Sequence, residues 1–206
     1  MTDFNPLTAD SDRSRLRLHL VRDGSAAHAE GRCIGQTNLR LSAVGRRESL
    51  ALAHRLALPH ATYISSDLER ARATANLLTV SPVISEPRLR EMHFGEWEGR
   101  YWADLDVTDG VYAGTYSDAW TAVRAPGGES FDDVVARITQ WLEALPRTGG
   151  DLLAVAHAGS IRAAAVVLLG IPASRAFSLA LDRAHVSTFE LTAQGASLIR
   201  WNSPGY

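Results

Sequence analysis

The sequence predicts an α/β fold: a three-layer sandwich with a mostly parallel central sheet and helices on both faces. Strand-like and helix-like segments alternate along the chain, which is the pattern of a layered sheet-and-helix domain. Residues Asp151 to Ala156 form an almost wholly apolar run, as a central strand covered on both faces must. With 206 residues, 46% of them hydrophobic, the chain is long enough for one well-buried core. The expected organisation is a short lead-in over residues 1–14 followed by a single domain over 15–206.

The elements follow in order. Leu16, Leu18 and Leu20 alternate with Arg15, Arg17 and His19, the period of a strand. Arg22-Asp23-Gly24-Ser25 reads as a turn, and residues 24–41 as a long loop. Ser42 is a natural N-cap for a helix over about 43–57, closed by Pro59. Ala61 to Ile64 is a short strand, Leu68 to Leu78 has helical spacing, and Pro82 to Ser85 is another strand. Residues 90–128, rich in Gly, Trp and Tyr, read as irregular with short helices. From Phe131 to Leu145 a helix places Val134, Val135, Ile138, Trp141, Leu142 and Leu145 on one face. The apolar strand at 151–156 leads into a helix over about 160–169, stopped by Gly170 and Pro172. Val186 to Leu191 and Ser197 to Trp201 are the last two strands.

Composition excludes several classes of function. All 21 basic residues are Arg, so there is no lysine for Schiff-base or P-loop chemistry. A formal charge of −2 without a polybasic tract argues against a nucleic-acid partner. No apolar run is long enough to span a membrane. The single Cys33 permits no internal disulfide and no multi-cysteine zinc site. The polar N-terminal stretch lacks the apolar run of a secretory signal, so a cytoplasmic location is expected. The segment from Phe189 to Trp201 is either core or interface, which leaves a homodimer open.

In open α/β sheets ligands bind beyond the carboxyl ends of the strands. Arg22 and Asp23 follow the first predicted strand, Ser65, Ser66 and then Arg70 the second, Glu91 the third, and His157 the apolar one. Arg pairs with phosphate or carboxylate oxygens in a two-pronged geometry. The start of the helix after His157 offers unpaired amides and a positive dipole end, with Gly159 allowing close approach. These residue types in these places point to a site for a small anionic substrate.

The order of five motifs carries more. Leu20-Val-Arg-Asp-Gly24, Ser65-Ser-Asp-Leu-Glu-Arg-Ala71, Leu89-Arg-Glu-Met-His-Phe-Gly-Glu-Trp-Glu-Gly99, Pro126-Gly-Gly-Glu-Ser130 and Val155-Ala-His-Ala-Gly-Ser-Ile-Arg162 occur in sequence. This closely resembles the histidine phosphatase superfamily in its phosphoglycerate mutase-like branch, and most of all small phosphatases such as the alpha-ribazole phosphatases, over about residues 16–191. The resemblance implies phosphomonoester hydrolysis through a phosphohistidine, with no metal and no cofactor. It implies that Arg22 and Arg70 bind the phosphate, together with the amides at Ala158 and Gly159. His157 would hold the phosphoryl group in its transition state, and Glu91 would protonate the leaving oxygen and later activate water. Gln36 and Thr37 would edge the phosphate pocket. Hydrolysis is favoured over a mutase reaction because the chain is short.

One departure outweighs the matches. The family's first motif is Arg-His-Gly, with the histidine as nucleophile, and this chain has Asp23 there. Imidazole offers phosphorus a nitrogen lone pair, whereas a carboxylate repels a phosphate dianion. At about 4 Å and an effective dielectric of about 20, each like-charge pair costs on the order of 4 kcal/mol. Three readings stand open: an ordinary phosphatase silenced by an introduced Asp23; a divergent enzyme using Asp23 and Glu91 as base and acid on an anionic substrate; and a silent module that binds phosphorylated ligands. Among the remaining residues, His19 is expected to pack under the sheet and His28 and His93 to sit in loops; His185, before the late strand, is expected away from the pocket, with an approach to it as the lesser alternative. Trp97, Tyr101, Trp102, Tyr112, Tyr116 and Trp120 form either a satellite core or an aromatic pocket wall. Cys33 is expected to be inert.

Overall fold

The computed structural model describes residues 15–109, 120–146 and 149–205. Tyr112, Tyr116 and the lead-in over 1–14 lie outside the described residues. The elements in chain order are β1 (Leu16–Arg22), α1 (Ala43–Ala53), β2 (Thr62–Ser65), α2 (Glu69–Leu78), β3 (Val83–Ser85), α3 (Trp102–Asp109), α4 (Phe131–Glu143), β4 (Gly150–Ala156), α5 (Ala158–Leu169), β5 (Val186–Thr192) and β6 (Gly195–Ser203). Short 3-10 turns cover Pro87–Leu89, Gly95–Trp97, Trp120–Ala122 and Ala173–Ser178.

The six strands form one sheet in the order β3-β2-β4-β1-β5-β6. β3, β2, β4 and β1 run parallel, while β5 and β6 are antiparallel additions at one side. The sheet is therefore mostly parallel, as the alternation of elements predicts. β4 sits between β2 and β1, and its alternation splits the core in two. Leu152, Ala154 and Ala156 face one layer with Leu18 and Leu20 of β1, Val134, Ile138 and Trp141 of α4 and Ile161 of α5. Leu153 and Val155 face the other, against Leu52 of α1 and Ala71 and Ala75 of α2. Burial on both faces is why this strand carries no polar residue after Asp151.

The local signals operate as expected at several ends. The Ser42 side chain accepts the Gly45 amide at 2.9 Å and starts α1. Ser130 and Asp133 exchange side-chain and backbone hydrogen bonds across the first turn of α4. Two boundaries differ. α1 stops at Ala53 rather than near 57, because the chain turns at His54 and Arg55 and brings Leu56 into the core. α5 starts at Ala158 rather than 160, because the Ser160 hydroxyl accepts the His157 amide at 3.0 Å and so organises one more turn. His19 is buried, its ring bonded to Thr188 at 3.1 Å and Asp151 at 2.9 Å, and so packs in the sheet layer as expected.

Candidate active site

Parallel strands deliver their carboxyl ends to one edge of the sheet, and the chemistry-bearing residues collect there. Arg22 ends β1, and the Asp23 amide donates to the Ala156 carbonyl of β4 at 2.9 Å. Ser66 follows β2 and is tied to Val155 of β4 at 2.9 Å. Arg70 lies in the first turn of α2, Glu91 just past the turn that follows β3, and His157 caps α5 directly after β4. Arg22, Asp23, Arg70, Glu91, His157, Ala158 and Gly159 line one cavity of about 330 Å³.

Asp23 is the hub. Its Oδ2 lies 2.9 Å from Nε of Arg70 and 3.2 Å from Nδ1 of His157, and its Oδ1 lies 3.5 Å from Nη1 of Arg183. The carboxylate and the imidazole are both 1% exposed. Burial alone would raise the Asp23 pKa. The His157 ring, Arg183 and Arg70 outweigh it and hold the carboxyl well below the usual carboxylate range. The other nitrogen of His157, Nε2, is 3.0 Å from the Ser66 hydroxyl. Nδ1 makes no hydrogen bond and lies beside the Asp23 carboxylate, which therefore flanks the ring opposite Ser66. Ser66 is wholly buried and is not part of the cavity wall, so its hydroxyl orients the ring and is not offered to a ligand.

Arg70 is equally committed. Its Nη1 donates to the Thr37 carbonyl at 2.9 Å and its Nη2 to the Gly35 carbonyl at 2.6 Å. Arg22 donates from Nη1 to the Leu181 carbonyl, while its buried Nε has no hydrogen-bond partner. Burial, and then the nearby charge of Arg183, lower the Arg22 pKa to about 10, which still leaves it charged at neutral pH. The Glu91 carboxylate takes the Gly159 amide at 2.9 Å and its neighbour Met92's amide at 2.9 Å. The amide of Gly159 expected to be free for an anion is thus held by Glu91 in this state. A Cβ at Gly159 would lie 2.2 Å from Glu91 Oε1, so a side chain there displaces that carboxylate from the helix tip.

The histidine phosphatase superfamily (branch 1) model matches residues 18–204. The chain belongs to that superfamily. It is 35% identical over 155 residues to the metal-independent phosphoserine phosphatase of Arabidopsis thaliana, covering 70% of this chain and 65% of that protein, just under two thirds of its length. The alpha-ribazole phosphatase from Shigella flexneri superposes with a TM-score of 0.81 at 27% identity, over 92% of this chain and 97% of that one. A mycobacterial glucosyl-3-phosphoglycerate phosphatase in complex with inorganic phosphate gives 0.77 at 30% identity, over 91% and 98%.

Two residues that the superfamily resemblance placed at the pocket edge point elsewhere. The amides of Gln36 and Thr37 donate to the Glu98 carboxylate at 2.8 and 2.6 Å, and the Thr37 hydroxyl also bonds to Glu98. Neither residue lines the cavity. They act on it indirectly: the Thr37 carbonyl holds Arg70, and the Gln36 side-chain amide donates to the Glu91 carbonyl at 3.0 Å. His185 also stays off the wall, with its ring on the Arg183 carbonyl at 2.9 Å.

Sequence reasoning assigned no role to Arg32, Arg162 and Arg183, all of which line the cavity of this superfamily member. Arg183 lies in the loop between α5 and β5, and nothing local in the sequence distinguishes it from a surface arginine. Of the described aromatic candidates, Trp102 lines the cavity, joined by Phe94, Phe131 and Phe177. Trp120 instead packs into the core against Phe131 at 5.2 Å between ring centres. Both readings of the aromatic segment are therefore partly met. Among the described residues, no group of three or more His, Cys, Asp or Glu could hold a metal ion, and no helix is long and apolar enough to cross a membrane.

Proposed function

We propose that the chain takes small phosphomonoesters into this cavity as a hydrolase of its superfamily, and that Asp23 closes the phosphohistidine route. The contact of the Asp23 carboxylate with Arg70 at 2.9 Å and His157 at 3.2 Å carries this reading. In the parent reaction a histidine nitrogen attacks phosphorus, and the ester oxygen leaves with a proton from the acid at Glu91. Water, deprotonated by Glu91, then breaks the phosphorus–nitrogen bond. Arg22, Arg70, His157 and the Ala158 amide would neutralise the phosphoryl oxygens, the Gly159 amide being taken by Glu91. Thr37 would act as a positioning residue behind Arg70, and Gln36 behind Glu91.

Asp23 is a poor replacement nucleophile. Its Oδ2 already faces Arg70 and the His157 ring, and its side chain is shorter than histidine, so the reacting oxygen stands back from phosphorus. A misplacement of about 1 Å lowers rates roughly a hundredfold. The same low basicity makes Asp23 a weak general base, since proton transfer is most efficient when the pKa lies near the working pH. This disfavours the reading in which Asp23 and Glu91 run a different acid–base reaction. The cavity nonetheless carries five guanidinium groups against two carboxylates, an arrangement that favours an anionic guest.

The test is phosphate release from a panel of phosphomonoesters, for the chain as it stands and for Asp23→His. We expect slow release from the former and a gain of at least about a hundredfold in the latter, with an acid-labile phosphoenzyme trapped only in the variant. Equal and rapid release from both would overturn the proposal. Tight binding with no turnover in either would assign the silent binding module instead.

A further inference from the structure

We propose that Arg137 of α4, with Glu129 as its partner, is a positioning residue for Glu91: the pair fixes the backbone on both sides of the acid and so sets where its carboxylate stands. This rests on the role proposed above for Glu91 and adds to it two side chains that lie outside the cavity wall.

The Arg137 guanidinium uses all three of its nitrogens. Nη1 donates to the Arg88 carbonyl at 2.6 Å and Nη2 to the Glu91 carbonyl at 3.1 Å. Nε donates to Glu129 Oε1 at 2.9 Å, and Nη2 also reaches Oε2 at 3.2 Å. Glu129 continues the hold past the acid. Its Oε2 accepts the His93 amide at 2.8 Å, and its own amide donates to the His93 carbonyl at 2.7 Å. The backbone before, at and after Glu91 thus ends on one ion pair. Both partners are largely buried, 17% and 23% exposed, so water competes little for these bonds.

Glu91 depends on this hold because its own segment has no regular structure. After the 3-10 turn at Pro87–Leu89, residues 90–94 belong to neither helix nor strand. The carboxylate rests on the Gly159 and Met92 amides at 2.9 Å, and a small rotation of the backbone at 91 would swing it off the tip of α5. A planar fork with several donors can hold two carbonyls and a carboxylate at once, which a lysine ammonium at the same place does less well. A merely structural role for Arg137 predicts a general loss of stability. A positioning role predicts a selective loss, felt at the Glu91 seat and in reactions that need its proton.

Two measurements test this. The first needs neither ligand nor turnover: amide hydrogen exchange, read by NMR, in the intact chain and in Arg137→Gln. We expect the Gly159 amide to exchange at least about tenfold faster in the variant, because Glu91 no longer holds it. The Gly45 amide, held by Ser42 at 2.9 Å in α1, should keep its rate. The second adds Arg137→Gln to Asp23→His and compares two esters by kcat/KM, which ends at the phosphoryl transfer in which Glu91 acts as acid. Benzyl phosphate releases an alkoxide that must be protonated, whereas the phenolate of 4-nitrophenyl phosphate leaves without an acid. The loss should be at least about tenfold for the benzyl ester and under about twofold for the nitrophenyl ester. If Arg137→Gln does not fold, Glu129→Gln, which leaves the guanidinium on both carbonyls, takes its place and should shift both readings in the same direction. An unchanged Gly159 rate, a Gly159 rise matched by Gly45, or equal losses for the two esters overturns the positioning role. If Asp23→His turns over neither ester, the phosphatase reading falls, and the exchange rates by themselves decide the part played by Arg137.

Discussion

The Oδ2 of Asp23 lies 2.9 Å from Nε of Arg70, with side chains 1% and 4% exposed. This pair joins the end of β1 to the first turn of α2. Through its other two nitrogens the same guanidinium holds the carbonyls of Gly35 and Thr37. One side chain therefore ties three separate segments at the floor of the cavity, and Asp23 occupies cations that a ligand would otherwise use.

Removing Arg70 should destabilise the fold strongly, because it strips a buried carboxylate of a partner. Arg70→Ala is expected to lower unfolding free energy by about 3–5 kcal/mol in urea denaturation. The double variant with Asp23→Asn should lose clearly less than the sum of the single losses. Strict additivity would count against the pairing.

Asp23→Asn removes the charge but keeps the shape. With the carboxylate gone, Arg70 and His157 can turn to an anion, and inorganic phosphate or vanadate should bind about tenfold tighter or better. Turnover should stay low, since an amide is no nucleophile. Unchanged or weaker anion binding in a calorimetric titration would contradict the competition described here.

Two buried groups make stability depend on pH, each with a defined sign. The Asp23 pKa is held down in the folded state by His157, Arg183 and Arg70 against the effect of burial. Its contribution is present above the unfolded carboxylate value near pH ~4 and fades as pH falls toward the folded value. Burial lowers the pKa of His19, with Asp151 opposing it. Its stabilisation is complete above about pH 6.5, the unfolded value, and is lost on acidification toward the folded value. Denaturation midpoints measured from pH 3 to 8 should show both falls, with the upper one flattened in His19→Gln.

Gly159→Ala should displace the Glu91 carboxylate. The added Cβ would lie 2.2 Å from Glu91 Oε1, so the carboxylate must leave its seat on the helix tip. A loss of about 1–3 kcal/mol is expected. In the Asp23→His background, catalysis should fall with it. A thermal melt and a rate assay of the paired variants report the two effects separately.

Cys33 should resist thiol reagents while the chain is folded. It is wholly buried, and burial, reinforced by Glu98 and Glu91, pushes its thiol up to about 12. Titration with an aromatic disulfide at pH 8 should label it only in denaturant.

Much of the site was legible because the chemistry sits where parallel strands end. Arg22, Asp23, Arg70, Glu91 and His157 each follow a strand within a few residues, and the motifs carrying them keep a fixed order. Gln36 and Thr37 were placed in the right loop, while the part played by Glu98, about 60 residues away in sequence, in gathering their amides was not legible. The helix tip at Gly159 was expected to be open and is engaged by Glu91 for the same kind of reason.

Periodicity, caps and an apolar run were enough to determine the layered fold, the near-positions of its elements and the side of the sheet where a ligand belongs. These are local properties, set by backbone geometry and by which faces must avoid water. Only the tertiary structure decided that Arg183, 160 residues from Asp23, approaches its carboxylate, and that Ser66 meets Nε2 of His157 while Nδ1 is left beside Asp23 without a hydrogen bond. Such pairings depend on where distant loops come to rest, and no spacing within a single segment encodes them.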